Sequence, residues 1–499
     1  MSARMKKILP IAAFLATTAL SQGIAWAEDL VIVSSSTFST LDPHQAISIQ
    51  PDMSAISHLY SPLVIRGNDL ELHGVVAESW EAVDDRTWSF KLRPDIQFSD
   101  GEALDAEAVK WNFERILDPE FQSRTRAWYE AIEEVKVVSP TEVHIITKAP
   151  SPSLPSQLAM FFLLPPEWTE GHNPSIEANG SGPYEVVSYT PGERLIMKAR
   201  ADYFGEKPAF DNVEIRTIVD PSARIAALLA GEVDIIGELP PSELDRIKES
   251  NAADAGWADA GRMLVIRFNT EKEPLAGNVA LRQALNYAID KQMINDGLYG
   301  GLATPSNCQL MTSAYFGYNP DLKPYAYDPE KARELIAQSG VAQPVTLEFE
   351  VPTGRYLLAE ETAQVVASQL SEVGIQVELK EMDFATWLGK YGRKDMGQLS
   401  IMTQGWTTLD ADGLLSLYEP SYPSSYWHDT EFLRLIGEAR VEMDESKRLQ
   451  LYKSASERMC EEAPVIFMFA PPVTYGTSKR IEWQPRPDDW VRAFDADIR

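Results

Sequence analysis

Cysteine is nearly absent from this chain: 499 residues contain two, Cys308 and Cys460. Two thiolates are too few for a structural zinc site, which takes four ligands. An oxidising compartment would permit them to bridge, but they lie far apart in sequence, so the paired and free states both stay open. Histidine is scarce too, at six residues, and no two of them stand four apart. No HExxH zinc motif, no G-x-S-x-G nucleophile elbow and no P-loop lysine occurs. Adjacent acids such as Asp84-Asp85, Glu133-Glu134 and Glu461-Glu462 cannot face one another on a helix and read as solvated charge. Positive charge is under-represented, with 45 Lys and Arg against 74 Asp and Glu, a formal net charge of −29. That balance disfavours nucleic acid and anionic lipid as partners. Past the N-terminus there is no run of 18 apolar residues, so no membrane-spanning helix is expected.

The N-terminus reads MSARMKKILPIAAFLATTALSQGIAWA. A basic start at Arg4, Lys6 and Lys7 precedes an apolar stretch of about 13 residues, and Ala25-Trp26-Ala27 offers small residues for cleavage. Residues 1–27 are therefore expected to be a signal peptide, with the mature chain starting at Glu28. The competing reading is an N-terminal buried helix. No Cys stands in this segment, which argues against a lipid anchor. A soluble, exported, periplasmic chain of about 470 residues follows, enough for two or three domains. With 44% hydrophobic residues it has the material for cores.

Local patterning is clear along most of the chain. Trp88, Phe90 and Leu92 alternate with Ser89, Lys91 and Arg93, the period of a half-buried strand. Asp100-Gly101 reads as a turn, and Asp105 as the N-cap of a helix carrying Val109, Phe113, Ile116 and Leu117. Val213 to Val219 reads as a strand. Asp220-Pro221 then caps and starts a helix, Gly231 ends it, and Val233 to Ile236 is the next strand, a unit suited to a parallel sheet. Met263 to Asn269 reads as a strand passing between lobes. Asn278 caps the helix that includes Leu281 to Asp290. A helix over Glu361 to Val373 stops at Gly374, and Ile375 to Met382 alternates as a strand. Gly180-Ser181-Gly182-Pro183-Tyr184 reads as a strained turn where backbones approach closely, not as a phosphate loop.

Several of these segments resemble the bacterial extracellular solute-binding proteins of family 5, the dipeptide, oligopeptide and nickel binders of ABC importers. Ala77 to Trp80, Thr87 to Arg93, Phe98 to Gly101 and Ala106 to Val109 match that family's signature. Gly180 to Tyr184, Asp202 to Gly205, Asp220 to Asp234 and Leu281 to Asp290 match further family motifs. The resemblance covers essentially the whole mature chain. It implies an α/β, bilobal, periplasmic-binding-protein-like fold of type II, with two lobes joined by a hinge. Lobe I would comprise residues 28–65, 181–265 and 477–499, an inserted α+β domain 66–180, and lobe II 266–476.

The same resemblance implies the site. Arg355 matches an Arg that bonds the ligand carboxylate in dipeptide-binding relatives, and a guanidinium fork suits that partner. Trp406 matches a Trp that packs on the ligand. Thr407 and Thr408 stand where peptide binders carry the Asp that pairs with the ligand ammonium, and Asp410-Ala411-Asp412 matches only a second acidic pattern; Thr407, Thr408 and Asp410 are candidate ligand contacts. A desolvated ammonium without a counter-charge is costly, so a plain di- or oligopeptide is disfavoured relative to glutathione-like or other conjugated solutes. Phe384, Trp387, Thr37 and Phe38 are further candidates, each with core packing or an ordinary surface loop as its alternative.

The implied function is capture of a peptide-like or amino-acid-conjugate solute between closing lobes and delivery to an inner-membrane ABC permease whose ATPase is a separate subunit. A monomer without cofactor, metal or catalytic residue is expected. The alternatives are a secreted hydrolase of peptides or sugars, and a nickel-chelate or oligosaccharide binder of the same fold. Metal-dependent stabilisation, for instance through His428, would favour the nickel reading. Turnover of a bound ligand would favour the hydrolase.

Overall fold

The structure is a computed structural model that describes residues 29–47, 49–422 and 425–499. The expected signal peptide, residues 1–27, lies outside the described residues. Two large mixed sheets organise the molecule. The first runs in the order Ala253–Asp259, Pro472–Ser478, Ile235–Gly237, Asp29–Ser34, Asn212–Thr217, Arg194–Ala199, Tyr184–Thr190. The second runs Thr304–Pro305, Val465–Ala470, Arg262–Phe268, Leu399–Gly405, Val345–Thr353, Ile375–Asp383. A four-stranded antiparallel sheet, Ala77–Asp84, Thr87–Leu92, Glu142–Thr147 and Ile132–Ser139, forms a third unit between segments of the first. This is the bilobal α/β arrangement expected.

Each large sheet has a parallel heart built from strand–helix–strand crossovers. Asp29–Ser34 pairs in parallel with both Asn212–Thr217 and Ile235–Gly237, and the helix Pro221–Leu229 makes the connection. Val345–Thr353 likewise pairs in parallel with Ile375–Asp383 through the helix Ala359–Glu372. The caps read from sequence form. Asp105 accepts the backbone N–H groups of Glu107 and Ala108 at 3.0 and 3.1 Å, Asp220 that of Ala223 at 2.7 Å, and Asn278 that of Leu281 at 3.1 Å. Each such bond satisfies an orphan donor and contributes about 1 kcal/mol. The helix Ala106–Leu117 buries Val109, Phe113 and Ile116 against Phe90 and Val143 of the antiparallel sheet. Ser89, expected to face solvent, is instead buried, its hydroxyl donating to Glu142 of the neighbouring strand at 2.9 Å.

The glycines of Gly180-Ser181-Gly182 are required by space and not by strain. A Cβ on Gly180 would lie 1.9 Å from the Leu59 carbonyl oxygen, and one on Gly182 2.5 Å from the Leu59 carbonyl carbon. Neither has a left-handed φ. The backbones touch because Gly182 donates its N–H to Leu59 at 2.9 Å.

The chain passes between the two large sheets twice. One passage is Ala260-Gly261, so Arg262–Phe268 lies wholly in the second sheet and is not itself the crossing strand. The other is Pro471, after which Pro472–Ser478 already belongs to the first sheet. Both passages fall earlier in the chain than the expected changes of lobe at residues 265 and 476. Beyond them the tail packs on the first lobe: Ile481, Trp483, Trp490 and Ala493 share a core with Leu30, Met53 and Val213. In the second lobe Cys308 and Cys460 form a disulfide with Cα atoms 5.4 Å apart, which resolves the question of their pairing. Among the described residues no helix is long and apolar enough to cross a membrane.

Candidate functional site

In open α/β sheets, ligands bind outside the carboxyl ends of the parallel strands. In the second lobe those ends carry most of the residues named from sequence. The strand Val345–Thr353 runs into a turn with positive φ at Gly354 (67°) and Leu358 (54°) before the helix Ala359–Glu372. Arg355 projects from that turn and is exposed. Its guanidinium carbon lies 5.3 Å from the Tyr356 ring centroid and 5.2 Å from that of Phe384. These cation–π contacts hold the group over the two rings, each worth about 0.5–1 kcal/mol at exposed sites. Among the described residues Arg355 has no hydrogen-bond or ion-pair partner, so its donor fork is available to a carboxylate.

Trp387 is displaced from the list of contacts. It is fully buried, stacked between Phe384 (centroids 6.1 Å apart) and Tyr391 (5.1 Å), because its place on the helix Phe384–Gly392 points it into the lobe II core. Phe384 itself is half-buried and links that core to Arg355.

The strand Leu399–Gly405 delivers the second group. Trp406 is half-buried, and its indole lies on the backbone of Gly413, where a Cβ would come within 2.1 Å of the ring. The Tyr315 hydroxyl accepts the Trp406 N–H at 2.5 Å and donates to the Gly261 carbonyl at 2.8 Å, tying the segment to the interlobe passage. Thr407 holds a buried hydroxyl without a hydrogen-bond partner. Thr408 is buried, and its carbonyl accepts a hydrogen bond from Arg66 of the facing lobe. Asp410 is also buried: its two oxygens take the Arg448 fork at 2.8 and 2.6 Å, and one of them caps Asp412 at 2.9 Å. Its carboxylate is committed to the protein, and the charge read from sequence as a ligand contact is a structural one. Arg440, bound to Asp412 at 2.8 Å, extends the same network.

In the first lobe Phe38 is likewise a core residue, stacked on Tyr189 with centroids 5.6 Å apart, whereas Thr37 is exposed beside the turn at Gly192. The structure thus sets Arg355 on the Phe384 ring, places Phe384 and Trp406 on the same lobe II core, and leaves Thr37 on the other lobe.

Sequence reasoning missed the first-lobe wall. A pocket lies at the carboxyl end of Ile235–Gly237, with Gln50, Glu238, Tyr475, Trp483, Asp489 and Trp490 in its lining. Arg262, at the start of the first lobe II strand, forms an ion pair with Asp489 of the tail, across the interlobe passage. Burial pushes the Arg262 guanidinium below its ordinary pKa; Glu238 opposes that shift and Arg355 adds to it, so both lie within electrostatic range of Arg262. The tail is held in place by Arg486, which binds Asp488 at 2.6 Å and the Arg66 carbonyl at 3.0 Å. No motif marked these residues. The available signal was the break at Pro240-Pro241 after the strand Ile235–Gly237, and it carries no chemistry of its own. Among the described residues no group of three or more His, Cys, Asp or Glu side chains converges as a metal site would.

Known proteins share the family and the fold. A profile described as "Bacterial extracellular solute-binding proteins, family 5 Middle" matches residues 71–426, and the chain belongs to that family. The glutathione-binding protein GsiB of Shigella flexneri serotype 5b is 28% identical, over 97% of each chain. Two solved structures share the fold. The ABC transporter substrate-binding protein CtaP of Listeria monocytogenes has a TM-score of 0.86 at 23% identity, covering 94% of this chain and 99% of that one. The binding protein AgaA of A. tumefaciens R10, solved with agropinic acid, has a TM-score of 0.79 at 25% identity, over 94% and 99%.

Proposed function

We propose that this protein is the solute-capturing component of an ABC importer, binding a carboxylate-bearing peptide-like or amino-acid-conjugate solute between its lobes. The observation that carries the reading is Arg355. It is an uncommitted guanidinium at the carboxyl end of a lobe II strand, buttressed by Tyr356 and Phe384 and within electrostatic range of the interlobe Arg262. Trp406, half-buried on the same lobe II core as Phe384, supplies an apolar face. Closure is a population shift, stabilised only by contacts that a solute makes with both lobes. The closed form then docks on a membrane permease, while a separate subunit hydrolyses ATP. In this reading residues 1–27 direct export to the periplasm, and the chain acts as a monomer.

The solute class follows from chemistry. Thr407, Thr408 and Leu409 offer no carboxylate beside Trp406, and Asp410 is spent on Arg448. A plain dipeptide lying along this segment would leave its ammonium unpaired, whereas a conjugate that directs its ammonium elsewhere would not. The name of the 28%-identical GsiB and the agropinic acid bound to AgaA are consistent with that class.

Thermal unfolding of ligand-stripped protein tests the reading with a panel of glutathione, opine-type conjugates, dipeptides, oligosaccharides and nickel chelates. A solute at 1,000 times its Kd adds about 4 kcal/mol of stability. The expected result is stabilisation by a carboxylate-bearing conjugate that is lost in Arg355→Gln. Stabilisation by nickel or oligosaccharide alone, or an Arg355→Gln variant that responds as wild type does, would refute it. Mass loss from the added solute would instead support a hydrolase.

A further inference from the structure

The proposed function leaves one charge of the bound solute without a partner in lobe II, and the first lobe supplies a candidate. Three charged side chains line the first-lobe pocket: Glu238, Arg486 and Asp489. Arg486 is spent on Asp488 and Asn68, and Asp489 on Arg262. Glu238 is exposed, and its carboxylate has no hydrogen-bond or ion-pair partner among the described residues.

Its backbone, in contrast, is pinned on both sides. The Glu238 N–H donates to the Thr474 carbonyl at 2.9 Å, and its carbonyl accepts from Arg224 at 2.8 Å. These bonds hold φ at 53°, a conformation that suits Gly and is unfavourable for Glu. A second observation lies in the same pocket. Trp483 and Trp490 both line it, both are more than nine-tenths buried, and the indole N–H of each lacks a hydrogen-bond partner. An acceptor-only carboxylate beside aromatic walls suits an ammonium.

We infer that Glu238 is the counter-charge for the solute's ammonium group, in a first-lobe pocket walled by the Trp483 and Trp490 rings. This rests on the function proposed above, in which Arg355 takes a carboxylate from the opposite lobe. The two uncommitted charges are of opposite sign and stand on different lobes. A solute carrying both an ammonium and a carboxylate therefore bridges the lobes, whereas one lacking either charge engages a single lobe and does not favour closure.

Calorimetric titration of the full exported chain tests the assignment with two pairs of probes: glutathione and N-acetylglutathione, and Gly-Leu and N-acetyl-Gly-Leu. Wild type is expected to bind an amine-bearing probe on the order of 10- to 100-fold more tightly than its acetylated partner, the lower range for losing one member of a charge pair. Glu238→Gln should weaken the amine and leave the acetylated probe unchanged, so that the two converge. Glu238→Gly should weaken the amine similarly while raising the melting temperature of the ligand-free protein, because Gly relieves the positive φ. A purely structural role for Glu238 would move stability without closing the gap between probes. Wild-type-like binding of the amine by Glu238→Gln overturns the ammonium assignment and leaves the importer function standing. Binding of none of the four probes by wild type, together with no stabilisation by any carboxylate-bearing solute in the thermal-unfolding panel, overturns both.

Discussion

Substituting Gly413 by Ala isolates the contribution of Trp406 without touching the indole. The added methyl carbon would stand 2.1 Å from Cδ1, 2.3 Å from Nε1 and 2.6 Å from Cγ of that ring. Carbon atoms pack at about 3.5–4.0 Å, so ring and backbone must separate by more than about 1 Å. The backbone is the less yielding side. Gly413 sits in the short helix Ala411–Leu415, whose cap is Asp410, and Asp410 is clamped by Arg448 in a buried pair. The indole is half-buried and turns away instead. Losing an aromatic face from a bound solute costs about 1.5–3 kcal/mol, or roughly 10- to 150-fold in Kd. Gly437→Ala is the control: it lies in the helix Thr430–Val441 with nothing within 4 Å of its Cβ position, and should stabilise by about 0.5–1 kcal/mol. Titration calorimetry with a solute identified by thermal shift provides the assay. Trp406→Ala should weaken binding as Gly413→Ala does, and the double variant should be no worse than either, because both remove the same contact. Unchanged affinity in Gly413→Ala, or additive losses in the double variant, would show that the ring contributes nothing from this position.

Acid should destabilise the protein through two buried histidines. His58 donates Nδ1–H to Ser54 at 2.6 Å and accepts the Ala493 N–H on Nε2 at 2.8 Å, and burial brings its pKa down to about 4. His44, its Nδ1 facing an Arg115 N–H at 2.7 Å, is brought by burial to about 3. A depressed folded pKa means that the unfolded chain binds protons first. Stability is therefore full above pH 6.5 and lost as pH falls toward 4, by roughly 2 kcal/mol per histidine at pH 5. Urea unfolding at pH 7 and 5 measures the loss, and an imidazole resonance of either residue titrating near 6.5 would contradict it. Asp410→Ala leaves Arg448 buried without a counter-charge and should cost about 3–5 kcal/mol in denaturant unfolding; a loss within 0.5 kcal/mol, the usual range for exposed sites, would mean that the pair is solvated. Replacing both Cys308 and Cys460 by Ala frees a loop spanning 152 positions, worth about 5 kcal/mol on the chain-entropy scale and about 5 °C in melting temperature. An unchanged calorimetric transition would show that the bridge does not restrain the unfolded chain.

Local signals decided much of this protein in advance. The caps at Asp105, Asp220 and Asn278, the alternating strands and the family motifs specify elements whose energetics lie within a few residues, so the parallel units and the bilobal class were legible from sequence. Gly180 and Gly182 were legible as a close approach, although not what they approach, because Leu59 is distant in the chain. The site divided differently. Arg355 and Trp406 were legible only through the family resemblance; the strands that deliver them, Val345–Thr353 and Leu399–Gly405, are seen in the structure. Asp410, Trp387 and Phe38 carry suitable chemistry, but whether a side chain faces a cleft or a core depends on what packs against it, and Arg448, Tyr391 and Tyr189 come from elsewhere in the chain. Glu238, Arg262 and Asp489 show the same limit from the other direction. The chain passes twice between the sheets, at Ala260-Gly261 and at Pro471, and the tail then returns to the first lobe. Only that topology brings residues from three remote segments to one interlobe junction, because charge interactions depend on distance through space and not on separation along the chain.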